Sequence, residues 1–151
     1  MFYPKANVTR EEFVKILLSA LKIEVSSEKA YSFDDAAYNS WYYPYVQTAY
    51  RLEIIKGKTP TDFGAGLAIT REEMAVMLAR AAEILGIQLK ETEHFYFSDP
   101  ISEYARDSVE KLASAGIING LANGTLAGGS NATREMAATV IYKAAMLYWE
   151  K

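Results

Sequence analysis

Ile69-Thr70-Arg71-Glu72-Glu73 has the composition of a helix start, and two similar stretches stand elsewhere in the chain. They are Val8-Thr9-Arg10-Glu11-Glu12 and Ala132-Thr133-Arg134-Glu135-Met136. The threonine suits an N-cap, and Glu12 and Glu73 stand three residues later, where a capping box places its acidic side chain. Three copies of one helix start predict a repeat protein.

An arginine follows the capping threonine in every copy, as Arg10, Arg71 and Arg134. A cation in the first turn faces the positive end of the helix dipole, so capping alone does not explain it. A nearby anion is the simplest compensation. Two interpretations stay open: each arginine pairs with an acidic side chain of the protein, or it shares an exposed anion site with unpaired helix N–H groups.

Composition limits the classes of function. The 151 residues include 16 basic and 19 acidic side chains, and the net charge of −3 argues against a general nucleic-acid partner or an anionic membrane surface. Without cysteine there is no disulfide and no thiolate metal site. No apolar run is long enough for membrane insertion, and the N-terminus lacks a signal-peptide pattern, so a secreted protein would have lost that segment.

Apolar spacing predicts one long helix after each threonine. The first stripe is Phe13, Ile16, Leu17, Ala20 and Leu21, which predicts a helix to about Lys22. The later helices repeat the stripe, and Gly86 suits a left-handed C-cap after the second.

A shorter helix is predicted ahead of the second and third long helices. Residues 41–53 form the first of these, with Pro44 in its opening turn. Sixteen residues separate Trp41 from Gly57 and Tyr104 from Gly120, and 29 separate each aromatic from Thr70 and Thr133. Gly116 suits a left-handed helix end, whereas Glu53 at the equivalent place predicts a different ending. Asn123-Gly124 predicts a tight turn, and polar connectors are expected at 23–32 and at 87–96, which includes the solvated His94.

The second unit resembles the S-layer homology repeat, with the marks Phe33-x-Asp35, Trp41-Tyr42, Ile54-Ile55-x-Gly57, Phe63 and Ile69-Thr70-Arg71-Glu72-Glu73. The third carries Phe97-x-Asp99, Tyr104-Ala105, Gly116-Ile117-Ile118-x-Gly120 and Thr133-Arg134-Glu135, with Tyr104 where the family usually has Trp. The first is only a back half, from Phe2-x-Pro4 through Val8-Thr9-Arg10-Glu11. Several ordered marks at fixed spacing make the resemblance specific.

The resemblance implies an all-α module of helix-loop-helix repeats around a pseudo-threefold central bundle. We expect one compact module made of 1–27, 28–91 and 92–151. The family tethers extracellular proteins non-covalently to the cell wall or S-layer through a secondary cell wall polysaccharide, often pyruvylated, without catalysis or cofactor. The implied ligand-binding residues are Arg10, Arg71, Arg134, Trp41, Asp35, Asp99, Gly57 and Gly120, with Tyr104 in the tryptophan position.

Structural alternatives stand beside these roles. Trp41 also suits a cap on the core between repeats, and Asp35 and Asp99 suit local caps of the turns that follow them. The tyrosines near Trp41 suit either helix packing or a sugar platform. Asp34-Asp35 lacks the ligand pattern of an EF-hand, so we predict no metal site.

The sequence also bears on two other functions. A glycoside-cleaving enzyme needs a pair of carboxylates, but the acidic residues recur with the repeat and leave no unique pair. A helical scaffold that binds proteins remains an alternative to polysaccharide binding.

The half repeat at the start predicts one uncovered flank of the first long helix and of the third repeat. We expect either self-association or a monomer whose Arg134 groove is incomplete, while the Arg10 and Arg71 grooves stay usable.

Overall fold

The computed structural model describes residues 5–90, 97–121 and 123–149, and within those ranges it contains helices and no strand. The helices are α1 (Arg10–Ala20), α2 (Tyr43–Arg51), α3 (Arg71–Leu85), α4 (Arg106–Ser114) and α5 (Arg134–Trp149), with a 3-10 turn at Glu103–Ala105 before α4. The all-α prediction is therefore confirmed. None of the helices in the described residues is both long and apolar enough to cross a membrane.

The predicted capping boxes start α1 and α3. The Thr9 hydroxyl accepts from Glu12 N–H while the Glu12 carboxylate accepts from Thr9 N–H, and Thr70 and Glu73 make the same exchange. Both N-terminal turns are thereby fixed by local sequence. Pro44 lies in the first turn of α2, where its missing N–H costs nothing.

Helix ends show one wrong prediction. Gly86 and Gly116 take the left-handed conformation, with φ of 68° and 77°. Glu53 takes it too, with φ of 63°, although its side chain predicted a different ending. The backbone explains why: Ile54 N–H bonds to Ala49 O and Ile117 N–H bonds to Leu112 O, each at 2.9 Å, so both helices close by the same turn.

A ring of backbone hydrogen bonds joins the three segments that precede the long helices. Val8 N–H donates to Ala132 O at 3.2 Å, Ala132 N–H to Ile69 O at 2.9 Å, and Ile69 N–H to Val8 O at 2.9 Å. Each segment therefore donates to one neighbour and accepts from the other. This closed cycle places α1, α3 and α5 in equivalent positions and gives the pseudo-threefold arrangement.

The shorter helices pack outside this frame. α2 packs on α1 and α4 packs on α3, so each short helix lies against the long helix of the preceding repeat. α5 contacts both α1 and α3. One continuous hydrophobic core joins the long helices of all three repeats, and its largest fully buried residues include Phe13, Leu17, Ile54, Phe63, Ile69, Leu78, Leu112 and Leu126. The repeat boundaries themselves stay predictions.

The first connector has no helix, and a buried glutamine fixes its end. Gln47 Oε1 accepts from Ala30 N–H at 2.5 Å and Tyr31 N–H at 2.9 Å, while Nε2 donates to Tyr31 O at 2.8 Å. Residues 87–90 of the second connector also lie outside the helices. The rest of that connector, with His94, and the stretch from Phe2 to Pro4 lie outside the described residues. The predicted turn at Asn123-Gly124 is present, with φ of 82° at Gly124.

Candidate functional site

The three repeated arginines each reach the next long helix around the ring. Arg10, only 4% exposed, pairs through Nη1 with the Glu73 carboxylate and donates from Nε to Phe63 O at 2.9 Å. Arg134 Nη2 lies 2.5 Å from Glu12 Oε2. Both acceptors occupy the third position of their helix, so one carboxylate closes a capping box and also neutralises an arginine from another repeat. The interpretation that the arginines pair with acidic side chains is correct for these two.

Arg71 differs because the third position of α5 is Met136. Arg71 Nε donates to Leu126 O at 2.7 Å, Nη2 donates to Asn119 O at 3.3 Å, and Nη1 lies 2.9 Å from Met136 Sδ. Within the described ranges, no carboxylate lies within 4 Å of this guanidinium, although it is only 8% exposed. Burial lowers the pKa of Arg71 while the charge of the more distant Asp99 raises it, and the side chain stays protonated at neutral pH.

The helix N–H groups are not available to a ligand at α3. Arg71 N–H donates to Ser130 O at 2.9 Å, Glu72 N–H donates to Gly128 O at 3.0 Å, and Glu73 N–H donates to the Thr70 hydroxyl. The interpretation in which each arginine shares an anion site with unpaired helix N–H groups is therefore wrong there. An anion at this place would meet side-chain cations.

A cleft of about 360 Å³ lies over Arg10, and we call it the Arg10 cleft. All three repeats contribute: Arg10 from the first, Gly57 and Glu73 from the second, and Tyr104 from the third. Its other lining residues are Ile55, Lys56, Lys58, Val76, Met77 and Arg80. Four of the lining side chains are cationic and one is acidic, so the cleft favours anions.

Ionisation in the Arg10 cleft follows from this charge arrangement. Lys58 Nζ lies 3.1 Å from Glu73 Oε2. Burial raises the pKa of the Glu73 carboxyl, but the Thr70 N–H, the Arg10 charge and Lys58 together hold it below its usual value. Tyr104 is 58% exposed, and partial burial with the charges of Glu72 and Glu73 raises its pKa to about 12. Its hydroxyl therefore remains a hydrogen-bond donor at neutral pH.

A second cleft of about 350 Å³, the Arg71 cleft, repeats the first 63 residues later. Ile118 replaces Ile55, Asn119 replaces Lys56, and Lys143 replaces Arg80, while Met136 stands for Glu73. Lys5, Glu135, Met74 and Val140 also line it. Among the described residues lining this cleft there is no aromatic side chain corresponding to Tyr104. The expectation that the Arg10 and Arg71 grooves both stay usable remains a prediction.

A third depression of about 300 Å³, the Trp41 cleft, lies beside Arg134 and is lined by Glu12, Lys15, Ile16 and Trp41. Trp41 is 52% exposed, so it belongs to the surface rather than to the core. Lys15 Nζ lies 5.4 Å from the centre of the indole ring, and Tyr42 meets the ring edge-on. Residues 55–57 line the Arg10 cleft and residues 117–119 line the Arg71 cleft, each from the turn after a short helix. The described residues that line the Trp41 cleft include no such turn. The prediction that the Arg134 groove is incomplete stays a prediction.

Comparison with known proteins identifies these repeats. A model of the S-layer homology domain matches residues 32–75 and 98–138, which together exceed half of the chain. The chain belongs to the S-layer homology family. Its first long helix lies outside the matched residues, yet it occupies the same place in the ring as the long helices of the two matched S-layer homology repeats.

The relatives of this S-layer homology chain are much larger proteins. An endoglucanase of Bacillus sp. (strain KSM-635) is 38% identical, and an amylopullulanase of Thermoanaerobacterium thermosulfurigenes is also 38% identical. Each match covers 93% of this chain, but 15% and 8% of those proteins. A surface-layer 125 kDa protein of Lysinibacillus sphaericus is 28% identical over 79% of this chain and 10% of its own length. The chain therefore spans less than a sixth of the curated relatives it matches.

The aspartates of the S-layer homology marks hold distant loops. Asp35 accepts three backbone N–H groups, from Phe63, Gly64 and Ala65, each at 2.8 Å. Asp99 accepts from Leu126 and Ala127, also at 2.8 Å. Both are caps, but the prediction that they cap the turn directly after them is wrong, because the capped loops lie about 28 residues later. Neither residue lines the clefts described above.

The glycines of the marks make room for aromatic rings. A Cβ on Gly57 would lie 2.6 Å from Phe33 Cε1, and φ at Gly57 is 101°. A Cβ on Gly120 would lie 2.9 Å from Phe97 Cε1. Gly57 also lines the Arg10 cleft, whereas Gly120 lies next to the Arg71 cleft through Asn119. Both glycines therefore act first through packing.

Sequence reasoning missed the cations that surround the arginines. Lys56, Lys58 and Arg80 line the Arg10 cleft, and Lys5 and Lys143 line the Arg71 cleft. The shift of 63 residues aligns Arg80 with Lys143 and is the signal that finds this pair. No group of three or more metal-ligating side chains occurs in the part of the chain that the structure describes.

Proposed function

We propose that this module anchors an extracellular protein non-covalently to the cell wall or S-layer by holding an acidic secondary cell wall polysaccharide between its repeats. Membership of the S-layer homology family supports this role, as do the surface-layer relative and a cell surface glycoprotein of Acetivibrio thermocellus that is 28% identical. The clefts between repeats are concave and cationic, which suits an acidic glycan.

The observation that carries the proposal is the state of Arg71. A buried cation is stable only when its lost hydration is replaced by hydrogen bonds and an opposite charge. Arg10 and Arg134 have carboxylates, whereas Arg71 has two carbonyl acceptors and a thioether within the described residues. A ligand carboxylate in the Arg71 cleft would supply the missing charge.

The chemistry of a pyruvylated sugar fits the Arg71 cleft. A pyruvate ketal presents a carboxylate, which accepts charge-assisted hydrogen bonds from a guanidinium and from the ammonium of Lys143. The ketal methyl and the sugar C–H groups meet the apolar side of the cleft, formed by Met74, Met136 and Val140. Among the described residues, the ion-pair partner of Lys5 is Glu135, at an exposed contact of 3.9 Å, so the Lys5 charge remains usable.

The proposal includes no catalytic step by this chain. The acidic residues of the helix starts already have partners: Glu11 accepts from Gly66 N–H at 3.0 Å, and Glu72 accepts from the Ser102 hydroxyl at 2.6 Å. The activities named for the endoglucanase and the amylopullulanase belong to proteins that this chain matches over a small share of their length. A hydrolysis assay on wall glycan checks this part, and released reducing sugar would contradict it.

Sedimentation with purified cell walls tests the anchoring role. The module should pellet with native walls and remain in solution after the secondary polymer has been extracted chemically. Selective removal of the pyruvate ketal should abolish pelleting if the ligand carboxylate is the recognised group. Equal binding to native and extracted walls would refute the polysaccharide proposal and favour a protein partner.

Self-association is a second, separate proposal. The helix α5 exposes Tyr142, Leu147 and Trp149, while no short helix among the described residues packs on it as α2 packs on α1. A second copy of the chain would cover these side chains. Light scattering over a concentration series should show a rising mass, and a constant monomer mass would reject this proposal.

A further inference from the structure

A large cavity adjoins the Arg10 cleft on the side away from Arg10. Its volume is about 780 Å³, and it is lined by Ala30, Tyr50, Arg51 and Glu53 together with Ile55, Lys56 and Arg80. We call it the Arg51 pocket. The last three residues also line the Arg10 cleft, so the two cavities meet across Lys56 and Arg80.

The Arg51 pocket carries an excess of cations. Arg51 donates to Glu28 O, and Arg80 Nη1 donates to Ile54 O at 3.4 Å, so both guanidinium groups are held by backbone carbonyls. No carboxylate lies within 4 Å of the Arg51, Lys56 or Arg80 charges in the described ranges. Glu53 is the acidic residue of the lining, against three cations.

An aromatic wall closes one side of the Arg51 pocket. Tyr50 packs edge-on against Tyr31, with ring centres 4.6 Å apart, and against Phe33 at 5.8 Å. These contacts hold the Tyr50 ring in one orientation. A fixed aromatic ring beside cationic side chains provides an apolar surface for sugar C–H groups and donors for an acidic substituent.

The third repeat lacks the residues that build this pocket. At the shift of 63 residues, Ala113 replaces Tyr50, Ser114 replaces Arg51, Gly116 replaces Glu53 and Asn119 replaces Lys56. Lys143 alone keeps the charge, in place of Arg80. The pocket is therefore not a requirement of the repeat fold, since α4 ends by the same backbone turn without it.

We propose that the Arg10 cleft and the Arg51 pocket form one extended glycan site, in which the Arg51 pocket binds a neighbouring sugar that carries a second acidic group. The proposal rests on the polysaccharide function proposed above. The extended site would bind two neighbouring acidic sugars within the polymer, whereas the Arg71 cleft would bind a single acidic sugar. Arg80 and Lys56 lie between the two cavities and therefore contact the ligand on both sides.

Two ligands and two variants test the extended site by isothermal titration. The ligands are a pyruvylated monosaccharide and a wall-polysaccharide fragment several repeating units long. Arg51→Ser installs the residue of the third repeat and should weaken fragment binding about tenfold, with monosaccharide binding unchanged. Glu53→Gln removes the acidic residue and should tighten fragment binding about threefold. Arg106→Ser, on the exposed surface of α4, is the matched control and should change neither affinity.

Several outcomes would overturn the extended site. Fragment affinity that is unchanged in both variants, or an equal loss for both ligands in Arg51→Ser, shows that the Arg51 pocket is not a separate subsite. If Arg51→Ser fails to fold, the expected gain in Glu53→Gln still decides, and its absence refutes the proposal. Wild-type protein that binds neither ligand refutes the anchoring function as a whole, a result distinct from the loss of the second subsite.

Discussion

The Arg10 and Arg71 clefts share one backbone design but neutralise their central arginine differently. Each arginine leaves the start of a long helix, donates from Nε to a backbone carbonyl, and points at the third residue of the next long helix. That residue is Glu73 in one cleft and Met136 in the other. Methionine in place of glutamate at this one position therefore leaves the arginine without a carboxylate partner among the described residues.

This difference predicts a structural role for the repeated arginine in one cleft and a ligand-binding role in the other. In the Arg10 cleft, the arginine and Glu73 stabilise the junction of two repeats, and Lys56, Lys58 and Arg80 provide the charge around them. In the Arg71 cleft, the arginine itself is the strongest candidate to bind a ligand carboxylate. Exchanging the residues between the clefts should exchange these roles.

Glu73→Met makes the Arg10 cleft resemble the Arg71 cleft and should have the largest effect. It breaks a buried ion pair and removes the capping-box side chain of α3, so we expect a loss of about 3 kcal/mol in the free energy of unfolding. Urea denaturation measures this loss. A change below about 0.5 kcal/mol would show that the Arg10–Glu73 ion pair adds little to stability, and that a buried arginine without a carboxylate is tolerated here as it is at Arg71.

Arg71→Ala tests the ligand-binding half of the comparison. It should weaken polysaccharide binding by about 1.5 to 3 kcal/mol, the value expected for a hydrogen bond to a charged group. Arg71→Lys should also lose much of the affinity, because an ammonium keeps the charge and loses the planar fork. Titration with the polymer fragment measures both variants, with circular dichroism to verify folding.

Two results would contradict this assignment of Arg71. Full binding by Arg71→Lys would exclude bidentate recognition. Unfolding of Arg71→Ala without a separate binding defect in Arg71→Lys would assign Arg71 a structural role through its bonds to Leu126 O and Asn119 O.

Met136→Glu makes the reverse exchange and gives Arg71 an internal carboxylate. Met136 is half-buried beside the guanidinium, so the new side chain should pair with it and complete a capping box with Thr133. We expect polysaccharide binding to weaken by about 1 to 2 kcal/mol through competition for the same donors. We expect the free energy of unfolding to rise by about 0.5 kcal/mol.

Met136→Leu is the control for this exchange, because it keeps the volume and adds no charge. It should bind like the wild type in the same titration. Equal weakening by the leucine and glutamate variants would mean that the shape of Met136, and not the missing carboxylate, matters to the ligand.

Local patterns made much of the frame predictable. The threonine and glutamate of each capping box lie within one turn. The local sequence therefore predicted the helix starts at Thr9–Glu12 and Thr70–Glu73. The surroundings of Arg71 could not be predicted from local sequence, because they depend on Met136, which lies 65 residues away in the next repeat. The same distance problem explains the error at Asp35, whose acceptor role depends on a loop 28 residues later. Nothing local marked Lys56 or Arg80 as neighbours of Arg10.

The smallest expected effect concerns the two helix ends beside the clefts. Glu53 ends α2 with φ of 63°, and Gly116 ends α4 with φ of 77°. A residue with a Cβ is strained in this region, while glycine is not. Glu53→Gly should therefore raise the free energy of unfolding by about 0.5 to 1 kcal/mol, and Gly116→Ala should lower it by a similar amount. Thermal unfolding of both variants measures the pair. Stabilisation by Gly116→Ala would show that the two ends are not equivalent, although Ile54 and Ile117 bond to their helices at the same distance.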